Sequence, residues 1–139
     1  MLLQLFPSNA MLPALWAAHA FFAVLFLQSG GDKVMHYASN LSWIKEQFKN
    51  TIISSIIAPV FLFLTLLELA SGISSALCLY FIGTRNTDLS LPALTLCSTT
   101  VLALFFGQRI SKDYQGSAAM AGYFAVCLLS LMALSHLEM

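Results

Sequence analysis

Apolar residues run through this chain in four long blocks, separated by three polar connections. The blocks fall at about 12–28, 59–82, 89–106 and 117–134. Each is long enough, at 1.5 Å rise per helical residue, to cover most or all of a hydrocarbon core of about 30 Å. The first polar connection, 32–58, is the longest. Within it Val34, Tyr37, Ala38, Leu41, Ile44 and Phe48 recur at helical spacing, with Lys33, His36, Asn40, Gln47 and Lys49 between them. That pattern predicts an amphipathic helix over 33–49, with Tyr37 and Trp43 at the membrane interface, lying on the membrane surface or folded back against the other helices. The other connections, around 83–88 and 108–116, are short turns. Pro13 is expected in the first turn of the first block and Pro59 at the start or a kink of the second, since proline cannot donate to the helical ladder. The pair Gly30-Gly31 is expected to stop the first helix.

Composition turns the pattern into a membrane assignment. Of 139 residues, 59% are hydrophobic and 9% charged, against about 25% charged in soluble domains. Mean hydropathy is +0.84. The fold class read from the sequence is all-α: an integral membrane bundle of four transmembrane helices with an amphipathic helix between spans one and two. Residues 1–139 read as one transmembrane domain. Six Lys+Arg balance six Asp+Glu, so there is no basic surface for nucleic acid. The first 32 residues hold no Lys or Arg, and a secretory signal has a positive n-region. The first span is therefore expected to remain in the mature protein.

Lys and Arg are distributed unevenly among the connections. Lys33, Lys45 and Lys49 belong to the first, Arg109 and Lys112 to the third, and Arg85 alone to the second. The positive-inside bias places connections one and three in the cytoplasm and both termini outside. The expected location is multi-pass in a membrane, the bacterial inner membrane.

Few residues carry candidate chemistry. Cys78, Cys97 and Cys127 stand singly in apolar stretches, without a Cys-x-x-Cys or a zinc-ligand spacing, and read as packing residues. No metal site and no nucleophile is assigned. Glu68 is the most informative position. A carboxylate in mid-span costs at least a few kcal/mol unless it faces protein, is neutralised or finds a partner. Thr65, Glu68, Gly72 and Ser75 share one helical face, small and polar, which suits either a ligand or proton site or a polar clamp between spans. His19 is the other ionisable group inside a span. His19, Ala23, Phe26, Gly30 and Lys33 form a stripe, and if that stripe faces Glu68, the two groups form a buried polar pair. The intramembrane polar site is thus read as Glu68, His19 and Lys33. Gly30, Gly31, Gly72, Ser75 and Gly122 are read as packing or turn residues, and Ala14/Ala18, Ala118/Gly122 and Ala121/Ala125 as small-xxx-small packing pairs. Thr95, Ser98, Thr99 and Thr100 are suited to bonding back to their own helix.

Three stretches resemble the DoxX-like membrane proteins. The run FLQSGGDKV at 26–34 looks like the end of that family's first helix. NLSWIKEQFKNT at 40–51 looks like a subgroup's connecting segment. The Glu-Leu-x-x-Gly core of LELASG at 67–72 looks like its second helix. Gly30, Lys33, Glu68 and Gly72 match the pattern, and the last two spans match in length and hydropathy alone. The resemblance implies a four-helix bundle and, for some members, a subunit role in quinone-linked oxidoreductases. The fold is distantly similar to that of vitamin K epoxide reductase, but without a Cys-x-x-Cys that activity does not transfer. The expectation is therefore a small membrane subunit of a larger complex, with lipid and other membrane subunits as partners, quinone as the cofactor to test, and no catalysis by the chain alone. The alternatives are a stand-alone carrier or channel for a small solute or a proton, and a purely structural subunit.

Overall fold

The computed structural model describes residues 8–139. The expectation of an N-terminus without positive charge bears partly on residues 1–7, which lie outside the described residues. The described chain is helical throughout: α1 spans Ser8–Met35, α2 Tyr37–Phe48, α3 Ile57–Gly83, α4 Ser90–Ile110 and α5 Tyr114–Glu138, with a single 3-10 turn at Ser54–Ile56 leading into α3. Four of these helices, α1, α3, α4 and α5, are long and apolar enough to cross a membrane. The protein is an integral, multi-pass membrane protein. The helices alternate in direction. The α1–α3 interface is the most extensive, and α4 packs on α5 and α3.

Several boundaries of the membrane-spanning helices differ from the expected ones, chiefly because the helices are longer. α1 continues through Gly30 and Gly31 to Met35. Glycine in a helix interior costs about 1 kcal/mol relative to alanine, whereas a backbone group left unpaired in hydrocarbon costs several, so the ladder stays closed. α1 also begins at Ser8, which puts Pro13 inside the helix and not in its first turn. α5 continues to Glu138, past the end of the fourth apolar block at about 134. Leu134 and Leu137 belong to the same apolar cluster as Leu12 and Leu15 of α1, which holds the last turns in place. Pro59 lies in the first turn of α3, where its missing N–H costs no ladder bond.

The amphipathic helix is shorter than 33–49. His36, at φ −121° and ψ 41°, separates it from α1. Val34 consequently belongs to α1 and faces outward. Phe48 is buried, Tyr37, Leu41 and Ile44 are half-buried on the same face, and Trp43 is exposed. Tyr37 meets the ring of Phe61 on α3 with centroids 5.2 Å apart. α2 therefore folds back onto the bundle at the end where α3 begins.

Both tight turns close in the same way. Arg85 and Lys112 take left-handed backbone conformations, at φ 60° and 63°. Asn86 N–H donates to Phe81 O and Arg85 N–H to Ile82 O, the paired bonds of a Schellman cap. Asp113 N–H to Gln108 O and Lys112 N–H to Arg109 O repeat the arrangement after α4. Asp113 then caps α5, accepting from Gly116 N–H at 2.9 Å.

Candidate functional site

The contact between α1 and α3 is closest at two glycines. A Cβ on Gly30 would stand 2.9 Å from Leu69 Cδ2, and one on Gly72 would stand 2.8 Å from both the backbone N and Cγ of Leu27. The exchange is reciprocal: Leu69 of α3 covers the glycine of α1, and Leu27 of α1 covers the glycine of α3. This close approach brings short polar side chains of the two helices into reach of one another. Gly31 and Gly122 have no such role, since a Cβ on either would meet nothing within 4 Å. The pairs on α5 also differ from expectation, because Ala118, Ala121, Gly122 and Ala125 face outward. α5 buries Ser117, Cys127, Ser130, Ala133 and Leu134 instead.

Beside the Gly30–Leu69 contact, on the side away from Gly72, sits an ion pair. Lys33 Nζ donates to Ser29 Oγ at 2.8 Å, and Ser29 Oγ donates to Glu68 Oε1 at 2.9 Å. Nζ also stands 2.9 Å from Glu68 Oε2. That last contact is ionic, off the line of a directed hydrogen bond. The Lys33 side chain is 21% exposed and that of Glu68 2%. Lysine near a helix end can extend to the interface; here its ammonium turns inward to the carboxylate. Ser29 and Lys33 lie one turn apart, so the site requires α1 to remain helical through both glycines.

His19 does not join this group. It lies ten positions before Ser29, about 15 Å along the helix, and its Nε2 is 3.1 Å from the hydroxyl of Ser90, the first residue of α4. Its Nδ1 is buried and has no hydrogen-bond partner. The stripe His19, Ala23, Phe26 and Gly30 is buried as a whole, but over its length it faces different partners. Ser75 also has a specific contact, with Cys97 Sγ at 3.3 Å.

Sequence reasoning missed two features. Ser29 bridges the ion pair, and only its i, i+4 relation to Lys33 signals it. The second is a cavity of about 210 Å³ between α2, α3 and α4. Phe48, Ile57, Phe61, Leu64 and Leu104 give it apolar walls, and Lys33, Gln47, Gln108, Ser111 and Asp113 supply polar groups. Gln108 Oε1 is buried without a hydrogen-bond partner. Among the described residues, no three His, Cys, Asp or Glu side chains converge as metal ligands. Comparison with protein-family models, with curated proteins and with solved structures finds no match to this chain.

Proposed function

We propose that this chain is a membrane subunit of a larger, DoxX-like complex, and that it holds the head of a quinone-class amphiphile in the cavity under α2. The observation that carries the reading is the cavity's chemistry. Its walls are apolar, and the polar groups on its lining include Lys33 and Gln108. A ring-sized ligand fits, since an apolar cavity of about 150 Å³ already accommodates benzene. An ammonium has three donors. Lys33 commits one to Ser29 and turns its charge to Glu68, which leaves a donor for a ligand carbonyl. Gln108 Oε1 offers an acceptor to a hydroxyl. The pair thus suits both the carbonyl and the hydroxyl form of a quinone ring, while the apolar opening beside α2 suits its tail.

The subunit role is supported by the outer surface. The α5 face bearing Ala118, Ala121, Gly122 and Ala125 is exposed, and small residues on an apolar face suit close approach by another membrane helix. The DoxX-like motifs at Gly30, Lys33, Glu68 and Gly72 fall on the α1–α3 contact, consistent with that resemblance. The charge bias of the connections supports a cytoplasmic location for α2 and the α4–α5 turn in a bacterial inner membrane.

Trp43 lines the cavity and provides the assay. In a Trp16→Phe background Trp43 is the single tryptophan. Titrating the purified chain in nanodiscs with a short-chain benzoquinone should quench Trp43 saturably. Gly107 also lines the cavity, and a Cβ there would meet only Phe48 Cζ, at 3.9 Å. Gly107→Leu should therefore fill the cavity and abolish saturable quenching while the helices remain folded. Quenching that stays linear with quinone concentration, as simple partitioning into lipid gives, would rule the ligand reading out.

A further inference from the structure

We propose that the centre of the bundle conducts protons along a file of buried polar side chains running from His19 to Glu68. This inference stands apart from the cavity reading; if both hold, the file ends beside the cavity's Lys33. The file draws on three helices. Starting at the α4 N-terminus, His19 Nε2 meets Ser90 Oγ at 3.1 Å, and the Cys78 thiol faces the same hydroxyl. One turn back along α3, Ser75 Oγ meets Cys97 Sγ at 3.3 Å. A further turn on, Ser71 Oγ and Thr100 Oγ1 are 2.7 Å apart. Glu68 follows, bonded to Ser29 and paired with Lys33. Every member from His19 to Glu68 is at most 1% exposed. From His19 to Lys33 the file covers about 20 Å of α1, most of a hydrocarbon core of about 30 Å.

Helix packing alone does not call for this alignment. Thr95 and Thr99, which are exposed, satisfy their hydroxyls on their own helix carbonyls at 2.8 and 2.9 Å. Thr100 does the same with Leu96 O at 2.9 Å and yet also pairs with Ser71. A purely structural clamp would also leave no bare buried nitrogen, whereas His19 Nδ1 has no partner. Where direct bonds are lacking, successive members sit three or four residues apart on one helix, with side-chain bases about 5–6 Å apart. A hydroxyl rotation or one bridging water closes such a step.

The chemistry balances at each transfer. Hydroxyl, thiol and neutral imidazole groups each both donate and accept. A proton taken up at His19 Nδ1 releases the Nε2 proton to Ser90, whose own proton passes towards Cys78. Each group before Glu68 ends with the protons it began with; the carboxylate of Glu68 receives the last and releases it to water at the partly exposed Lys33 end. The ionisable groups on or facing the file are His19, Lys33, Glu68 and the thiols of Cys78, Cys97 and Cys127. At the His19 end of the bundle the connection and the α5 terminus add Arg85, Asp88, His136 and Glu138.

The full chain, reconstituted in liposomes containing a pH-sensitive dye, tests the proposal under a potassium diffusion potential set by valinomycin. Internal pH should change faster than in protein-free liposomes. The paired substitution Ser71→Ala/Thr100→Val should return the rate to the protein-free level, while Thr99→Val, on the exposed face, should leave it unchanged. A wild-type rate equal to that of protein-free liposomes overturns the proposal, as does a rate indifferent to the paired substitution. If the paired variant does not fold, infrared spectroscopy of the wild-type thiols decides. In a Cys127→Ala background the S–H bands of Cys78 and Cys97, the two thiols of the file, should convert to S–D soon after transfer to D2O. S–H absorption that survives overnight in the folded protein overturns the proposal.

Discussion

The Lys33 ammonium stands 2.9 Å from Glu68 Oε2, with Ser29 bridging Nζ to the other carboxylate oxygen. The two charges are unequally sheltered: Glu68 is almost wholly buried and Lys33 retains some solvent access. Removing either partner leaves a charge in low dielectric. Breaking a buried pair in this way costs about 3–5 kcal/mol in soluble proteins, and residual exposure of Lys33 brings the cost below that range for Glu68→Gln. Lys33→Met is the more damaging change, because it strands the more deeply buried group. The double substitution Lys33→Met/Glu68→Gln should recover much of the loss. A double-mutant cycle of thermal unfolding in detergent, followed by circular dichroism, measures the coupling. Additive single effects would show that the pair contributes nothing as a pair.

Gly72 and Gly31 differ in what a methyl group would meet. At Gly72 it would fall 2.8 Å from the backbone N of Leu27, which cannot rotate away, and at Gly31 it would meet nothing within 4 Å. Gly72→Ala should push α1 from α3 and cost about 1–3 kcal/mol, as overpacking does. It should also lengthen the Ser29–Glu68 contact that depends on the close approach. Gly31→Ala should be neutral or stabilising by up to about 1 kcal/mol through helix propensity. Melting temperatures of the two variants in one detergent make the comparison.

Arg85 adopts a left-handed backbone at φ 60° as the αL residue of the α3 cap. A side chain in that conformation costs roughly 1–2 kcal/mol that glycine avoids. Part of that gain is returned through the greater freedom of glycine in the unfolded chain. Arg85→Gly should raise stability by about 0.5–1 kcal/mol, visible as a higher melting temperature. An unchanged or lower melting temperature would mean that the Arg85 side chain makes up the difference.

The four spans and the inward face of α2 were legible because each is written along one segment: apolar length for the spans, and the Tyr37, Leu41, Ile44, Phe48 spacing for α2. Glu68 stood out because a carboxylate in an apolar run has few physical explanations. Its partner was harder to read. Lys33 and His19 share a stripe on α1, and only the register of α1 against α3, set by the glycine–leucine contacts, decides which of them reaches Glu68. The glycines at 30 and 31 were read by their meaning in water, as a helix stop. In lipid the cost of opening the ladder reverses that meaning. The Ser71–Thr100 and Ser75–Cys97 pairs were not legible at all. Each hydroxyl, viewed within its own helix, has an ordinary intrahelical role, and the alignment exists only between helices.

The orientation of the bundle rests on the Lys and Arg distribution among connections whose sides the antiparallel helices link. Gln47 and Asn50 of the first connection share a surface hollow with Ser111 and Lys112 of the third, so the two stand at one end. With this end in the cytoplasm, a cysteine at Thr87 on a cysteine-free background should react with an impermeant thiol reagent on intact cells. A cysteine at Ser42 should react only after lysis. The opposite pattern would invert the topology. The native thiols, all buried, are replaced so that they add no background.

The exposed small-residue face of α5 gives the subunit reading its own test. A Cβ at Gly122 meets nothing within 4 Å in this chain, so a larger side chain there leaves the bundle's own packing intact. If another membrane helix lies against Ala118, Gly122 and Ala125, the same side chain removes the close approach that such a contact needs. Gly122→Leu should therefore melt like the wild type once purified, yet lose a partner that the wild type carries through mild-detergent affinity purification. Blue-native electrophoresis followed by mass spectrometry reads both the mass of the complex and the partner's stoichiometry. The Val24 and Leu62 positions, exposed on α1 and α3, provide controls on other faces. A wild-type preparation that runs as a monomer with no stoichiometric partner would remove the subunit reading. The proton file would then stand as a property of the chain alone.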